Sequence, residues 1–190
     1  VTIMSPSEFR DVFDDFEQQM FRLESLDFYV AENEREPLER FRAGLPQDPA
    51  WRRPWAGTIA AINARGASIG RVHVVTEPLT EYVIFEMTCA YPASVRAGED
   101  VRILPRAIAE RMGVPCEDFW LLDDVRTARM AYDEEGNWLH VDLTDDPEIV
   151  RGHVRLRELV RAEATPLLDY LSSAGLKPAP GSLLTPQEQQ

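Results

Sequence analysis

The residues best suited to chemistry in this sequence are arginines set among acids. Arg71, Arg102, Arg106, Arg126 and Arg129 fall on or near segments that read as strands. Several guanidinium groups carried on β-elements can converge on a phosphate or carboxylate through paired hydrogen bonds. The competing explanation is internal pairing with Glu77, Glu81, Glu86, Asp123 and Asp124, and the excess of acids favours it. If the chain holds a small-molecule pocket, the polar groups expected at it are Arg71, Glu77, Tyr82, Glu86 and Arg102. Asp123-Asp124 offers carboxylates at a strand end. Without a partner acid or histidine at a metal spacing, it reads as a turn in which Asp satisfies backbone groups.

Other catalytic patterns are missing. His73, His140 and His153 lie on separate elements without an H-x-H or H-E-x-x-H spacing, so no metal is expected. No G-x-S-x-G elbow accompanies the serines, and Gly66 and Gly70 are wrongly spaced for a phosphate loop. The only lysine is Lys177, which removes Schiff-base and P-loop lysine chemistry from the core. Cys89 and Cys116 lack metal spacing and read as two buried free thiols. No cofactor and no catalytic residue is expected, and the reading leans away from an enzyme.

The elements that must position these groups follow from periodicity. Ser5, Pro6 and Glu8 form a helix start, after which Phe9, Val12, Phe13, Phe16, Met20 and Leu23 recur at helical spacing. Leu26–Ala31 reads as a short strand and Glu34–Ala43 as a charged helix. Trp55–Ile62 and Ile69–Thr76 read as a hairpin joined through Gly66. Leu79–Ala90 is expected as a central helix broken at Tyr91-Pro92. Short elements follow: a strand at Val101–Leu104, a helical turn at Arg106–Met112, and a strand at Phe119–Leu122. A second hairpin pairs Thr127–Tyr132 with Trp138–Leu143. A long final helix opens at Pro147 and restarts after Thr165-Pro166. The resulting fold class is α+β: a single domain over residues 1–176, mainly antiparallel β-hairpins. These pack with an N-terminal amphipathic helix, a central helix and a long C-terminal helix. Residues 177–190 read as a flexible Pro-rich tail.

Composition limits the partners. The 190 residues carry a net charge of -13, which disfavours phosphate backbones and anionic membranes. The expectation is therefore a protein partner, with no direct nucleic acid and no membrane contact. No signal pattern or membrane-length apolar run is present, so a cytoplasmic location is expected.

An ordered set of words carries a resemblance: IGRVHVVTEPLTEY from Ile69, AGEDVRILPR from Ala97, DFWLLDD from Asp118, YDEEGNW from Tyr132 and LTDDP from Leu143. An upstream WRRPW at Trp51 also fits. Over half to two thirds of its length the chain resembles an actinobacterial family of unknown function, often encoded beside helix-turn-helix regulators. The resemblance implies a regulatory or adaptor role and no catalytic residues. The final helix here is rich in Arg, Leu and Glu, where that family tends toward a Trp-containing one. The leading expectation is a non-enzymatic interaction or adaptor protein that modulates a DNA-binding regulator. The alternative is a small enzyme or small-molecule-binding protein with a pocket near the central hairpins. A weaker option is an antitoxin-like or immunity-like protein.

Overall fold

A computed structural model describes residues 1–10, 12 and 15–182 of the chain. One mixed, open eight-stranded sheet organises it, in the order β1-β7-β6-β5-β2-β3-β4-β8. The strands are β1 (Thr2–Met4), β2 (Gln19–Glu24), β3 (Ser68–Val75), β4 (Asp100–Pro105), β5 (Asp118–Leu122), β6 (Arg126–Tyr132), β7 (Trp138–Thr144) and β8 (Thr165–Pro166). β2, β3 and β4 run parallel; the remaining neighbours pair antiparallel. The α+β, single-domain expectation holds.

Three expected elements fold otherwise. The N-terminal helix stops early: α1 covers only Pro6–Arg10, and Met20 and Leu23 belong to β2. Phe13 lies outside the described residues. Within β2 the alternation is period two, with Met20, Arg22 and Glu24 on one face and Phe21 and Leu23 on the other. Met20 and the Phe21–Leu23 pair accordingly join different core clusters. The first expected hairpin does not form either. Trp55–Ile62 lies inside a helix, α3 (Arg53–Ala64), and β3 pairs with β2 and β4 instead. Pro54 sits in its first turn, and Ala56, Ile59 and Ile62 recur at helical spacing and are buried. Leu26–Ala31 is an irregular segment, not a strand.

The remaining helices are α2 (Arg35–Arg42), α4 (Glu81–Phe85), α5 (Tyr91–Ala97), α6 (Arg106–Arg111), α7 (Pro147–Glu163) and α8 (Leu167–Ser173). Between α4 and α5 the chain makes a π-helical turn over Glu86–Ala90, so Tyr91-Pro92 continues the helix where a break was expected. Pro92 falls in the first turn of α5, where its missing N–H costs nothing. One sheet face packs on Val150 and Val160 of α7 and Ala109 of α6. The other face carries α3, α4, the π turn and α5. The second hairpin, β6–β7, forms as expected. Of the expected tail, the Ala179 N–H donates to the Thr88 carbonyl, and residues 183–190 lie outside the described residues.

Candidate functional site

On the sheet face away from α7, three central strands carry charge where apolar residues would ordinarily stand. Arg22 and Glu24 of β2, Arg71 and His73 of β3, and Asp118 of β5 are all buried. Buried ions persist only when paired and hydrogen-bonded. Most of this set is. Arg71 donates from Nε to Glu99 at 2.6 Å and from Nη1 to Glu24 at 3.1 Å. Arg22 donates from Nη2 to Asp118 at 2.9 Å and to the Tyr132 hydroxyl at 3.0 Å. Asp118 further accepts from the Ser25 N–H and hydroxyl and, at 2.6 Å, from the Tyr29 hydroxyl.

The π turn places Glu86 opposite this cluster. Tyr91 Oη stands 3.0 Å from Glu24, 3.1 Å from Glu86 and 2.9 Å from His73 Nδ1. His73 Nε2 faces the Leu26 carbonyl at 2.8 Å, so that nitrogen carries a hydrogen. On the helical side, the Tyr82 hydroxyl donates to Glu34 at 2.7 Å, and Arg52 donates from Nη2 to Ser94 at 2.8 Å. These groups surround a cavity of about 300 Å³, with Tyr29, Trp55, Tyr82, Tyr132 and Trp138 among its aromatic walls and Val30, Ala31 and Asn33 also lining it. The volume lies at the small end of ligand pockets.

The electrostatics divide the acids. Burial raises the Glu86 carboxyl well above its ordinary value, and the neighbouring Glu34 and Glu24 push it further. Burial likewise raises Glu34, against the Tyr82 hydrogen bond. For Glu24 burial also acts upward, but Arg71 and Arg22 overcome it and hold the carboxyl at about 2. Burial raises the Tyr29, Tyr82, Tyr91 and Tyr132 phenols, which stay protonated donors. Two carboxyl groups with opposed proton affinities thus flank one tyrosine hydroxyl.

Two guanidinium groups keep an unused donor. Arg22 Nη1 and Arg52 Nε are buried without a hydrogen-bond partner. Arg52 is the more exceptional. It is 8% exposed, and none of the ion pairs among the described residues includes it. Burial, then Arg71, lowers its proton affinity.

The site residues expected from sequence divide three to two. Arg71, Tyr82 and Glu86 line the cavity. Glu77 instead accepts from the Tyr170 hydroxyl at 2.6 Å, and Arg102 pairs with Asp100 at 3.0 Å, which is its neighbour along β4. The other strand arginines do pair internally, though with different acids than expected: Arg126 with Asp15 and Arg129 with Asp142. Asp123 has the backbone role anticipated for it, accepting from the Glu17, Gln18 and Gln19 N–H groups. Asp124 pairs with Arg157. Cys89 is buried and free, but Cys116 is exposed, contrary to expectation. Arg22, Glu24, Tyr29, Glu34, Arg52 and Tyr91 went unassigned. The alternation Phe21-Arg22-Leu23-Glu24 was the available signal for two of them.

A second depression lies along α7, between Ile149, Leu156 and Leu159 and the Pro115–Glu117 segment. It is wider, at about 460 Å³, and mostly apolar. Among the described residues, no group of three or more His, Cys, Asp or Glu side chains is placed to hold a metal ion. No helix there is long and apolar enough to cross a membrane.

A family model described as a domain of unknown function, DUF6879, matches residues 7–172, and the chain belongs to that family. Among curated proteins no relative matches the sequence. Solved structures with a similar arrangement include TrmBL2, an archaeal chromatin protein that shows a novel mode of DNA binding. Identity to it is 8% over 87% of this chain and 54% of that one, with a TM-score of 0.48. The chain therefore spans about half the length of TrmBL2. NucT from Helicobacter pylori is 11% identical over 87% of this chain and 97% of that one, with a TM-score of 0.47. Likeness this slight assigns no activity here. It does correct one expectation, that of a protein partner with direct nucleic-acid contact excluded. That limit rested on net charge alone, and TrmBL2, with a similar arrangement, shows DNA binding.

Proposed function

We propose that this chain is a small-molecule-binding protein whose ligand occupies the cavity between β2, β3 and the π turn. The observation that carries this reading is the buried, multiply charged wall around open space. Replacing buried ion pairs by well-packed apolar residues is often neutral or stabilising, so stability alone gives little reason to keep them. A ligand site does: charged groups already desolvated and held by neighbours need little reorganisation on binding. Glu24 and Asp118 fix Arg22, and Glu24 and Glu99 fix Arg71, so the wall is set before a ligand arrives. Glu86 and Glu24 both contact the Tyr91 hydroxyl, so this side of the cavity is tied into one hydrogen-bonded wall.

The test is native mass spectrometry of the full chain after incubation with a small-molecule cell extract. Wild type is expected to retain a discrete small mass. Ala31→Trp, which fills the cavity and removes none of the charged groups, is expected to lose it. Equal retention by both would place the ligand elsewhere and reject the reading.

A further inference from the structure

Resting on that reading, we infer that the ligand carries an oxyanion, a carboxylate or phosphate group, that pairs with Arg52. The argument begins from a deficit. Arg52 is buried, lines the cavity, and makes one hydrogen bond, from Nη2 to the neutral Ser94 hydroxyl. Its Nε has no partner. Trp51 lies 5.0 Å from its guanidinium carbon and supplies a π face, which fixes the group's plane without neutralising it.

The nearby acids are already committed. Glu99 accepts from Arg71 at 2.6 Å and from the Trp55 indole at 3.3 Å. Glu34 accepts from Tyr82, and Glu86 meets Tyr91. Glu34, Glu99 and Glu86 exert a field on Arg52 but form no ion pair with it. A buried guanidinium left unpaired is costly, and a planar fork with a free Nε suits a two-oxygen anion. Arg22, with Nη1 free, borders the same cavity and offers a second donor. A cavity of about 300 Å³ has room for a small metabolite.

The experiment titrates the isotopically labelled full chain with four probes: inorganic phosphate, benzoate, neutral benzamide and cationic benzamidine. Arginine side-chain Nε–H signals are followed, and Arg52→Gln and Arg102→Gln are run alongside, with thermal melting to verify folding. The expected result is a saturable shift of the Arg52 signal with phosphate or benzoate. Affinity should weaken at least about tenfold in Arg52→Gln and stay unchanged in Arg102→Gln, whose residue lies outside the cavity. Oxyanion binding of equal strength in Arg52→Gln would overturn the pairing. So would binding in the cavity of benzamide or benzamidine alone, which leaves the cavity a ligand site of different chemistry. If none of the four binds, the oxyanion pairing also falls, and the extract experiment decides the cavity reading independently.

Discussion

Glu86 and Glu24 share contact with one hydroxyl, yet their surroundings drive their proton affinities apart. Glu86, buried beside other acids, binds its proton more tightly folded than unfolded. Between its ordinary value of 4.5 and the higher folded value, the native state holds the extra proton. Its stabilising contribution is therefore complete below 4.5 and declines as pH rises through that window. Glu24 has the opposite sign. Its contribution is complete above 4.5 and is lost as pH falls toward about 2. Urea denaturation across pH should show Glu86→Gln flattening the decline above 4.5, whereas Glu24→Gln lowers stability throughout the neutral range. An unchanged slope in Glu86→Gln would contradict the assignment. Asp118→Ala should cost about 3–5 kcal/mol, because it strands Arg22 without its best acceptor. A loss under about 1 kcal/mol in denaturant titration would show that Arg22 finds water instead. Arg71 and Glu86 are legible as polar groups because they interrupt apolar runs, and Tyr82 because it lies on the same expected helix as Glu86. Arg52 was not: its importance comes from lacking a partner, which only three-dimensional contacts reveal.

At the scale of elements, the sequence reading succeeded where period and punctuation agreed. The β6–β7 hairpin and α7, with Asp146 as its cap and Pro147 in its first turn, are examples. It failed where two periods competed. Phe9 through Leu23 fits a helical spacing, but the central sheet claims Gln19–Glu24 as a strand with neighbours on both sides. Tertiary pairing then overrides local pattern. α3 was missed because its Trp, Ile and Thr residues suggest a strand, although Ala and the buried Ala56–Ile59–Ile62 stripe favour a helix. Ile59, fully buried in that stripe, tests the assignment: Ile59→Ala should cost about 2–5 kcal/mol in urea denaturation. A cost below about 1 kcal/mol would mean that this face is not packed on the sheet. The β5–β6 turn also reaches beyond itself. Asp123 and Asp124 both adopt positive φ, at 51° and 59°, in the three-residue connection between Leu122 and Arg126. Asp123 then holds three N–H groups at the entry to β2. Asp123→Ala should lower stability by about 1–3 kcal/mol. It should also speed amide exchange at Glu17, Gln18 and Gln19, and unchanged exchange there would contradict the role.

For the whole molecule, the family and the α+β class leave function to be argued from the site, since a fold hosts many activities. The net charge of -13 is spread over a surface whose acids repel one another. Added salt screens this, so the thermal midpoint should rise between low ionic strength and about 0.5 M sodium chloride. A falling midpoint would mean that surface ion pairs outweigh the repulsion. The buried network on β2, β3 and β5 is shielded from that screening and forms a strongly polar interior. The most direct test of its role is a pair of ¹H–¹⁵N correlation spectra of the full chain, with and without a small-molecule extract. The account predicts shifts concentrated on Arg22, Arg52 and Arg71 side-chain signals and on the Trp55 and Trp138 indoles, which line the cavity. Shifts confined to Ile149, Leu156 and Leu159 along α7, or no shifts anywhere, would contradict it.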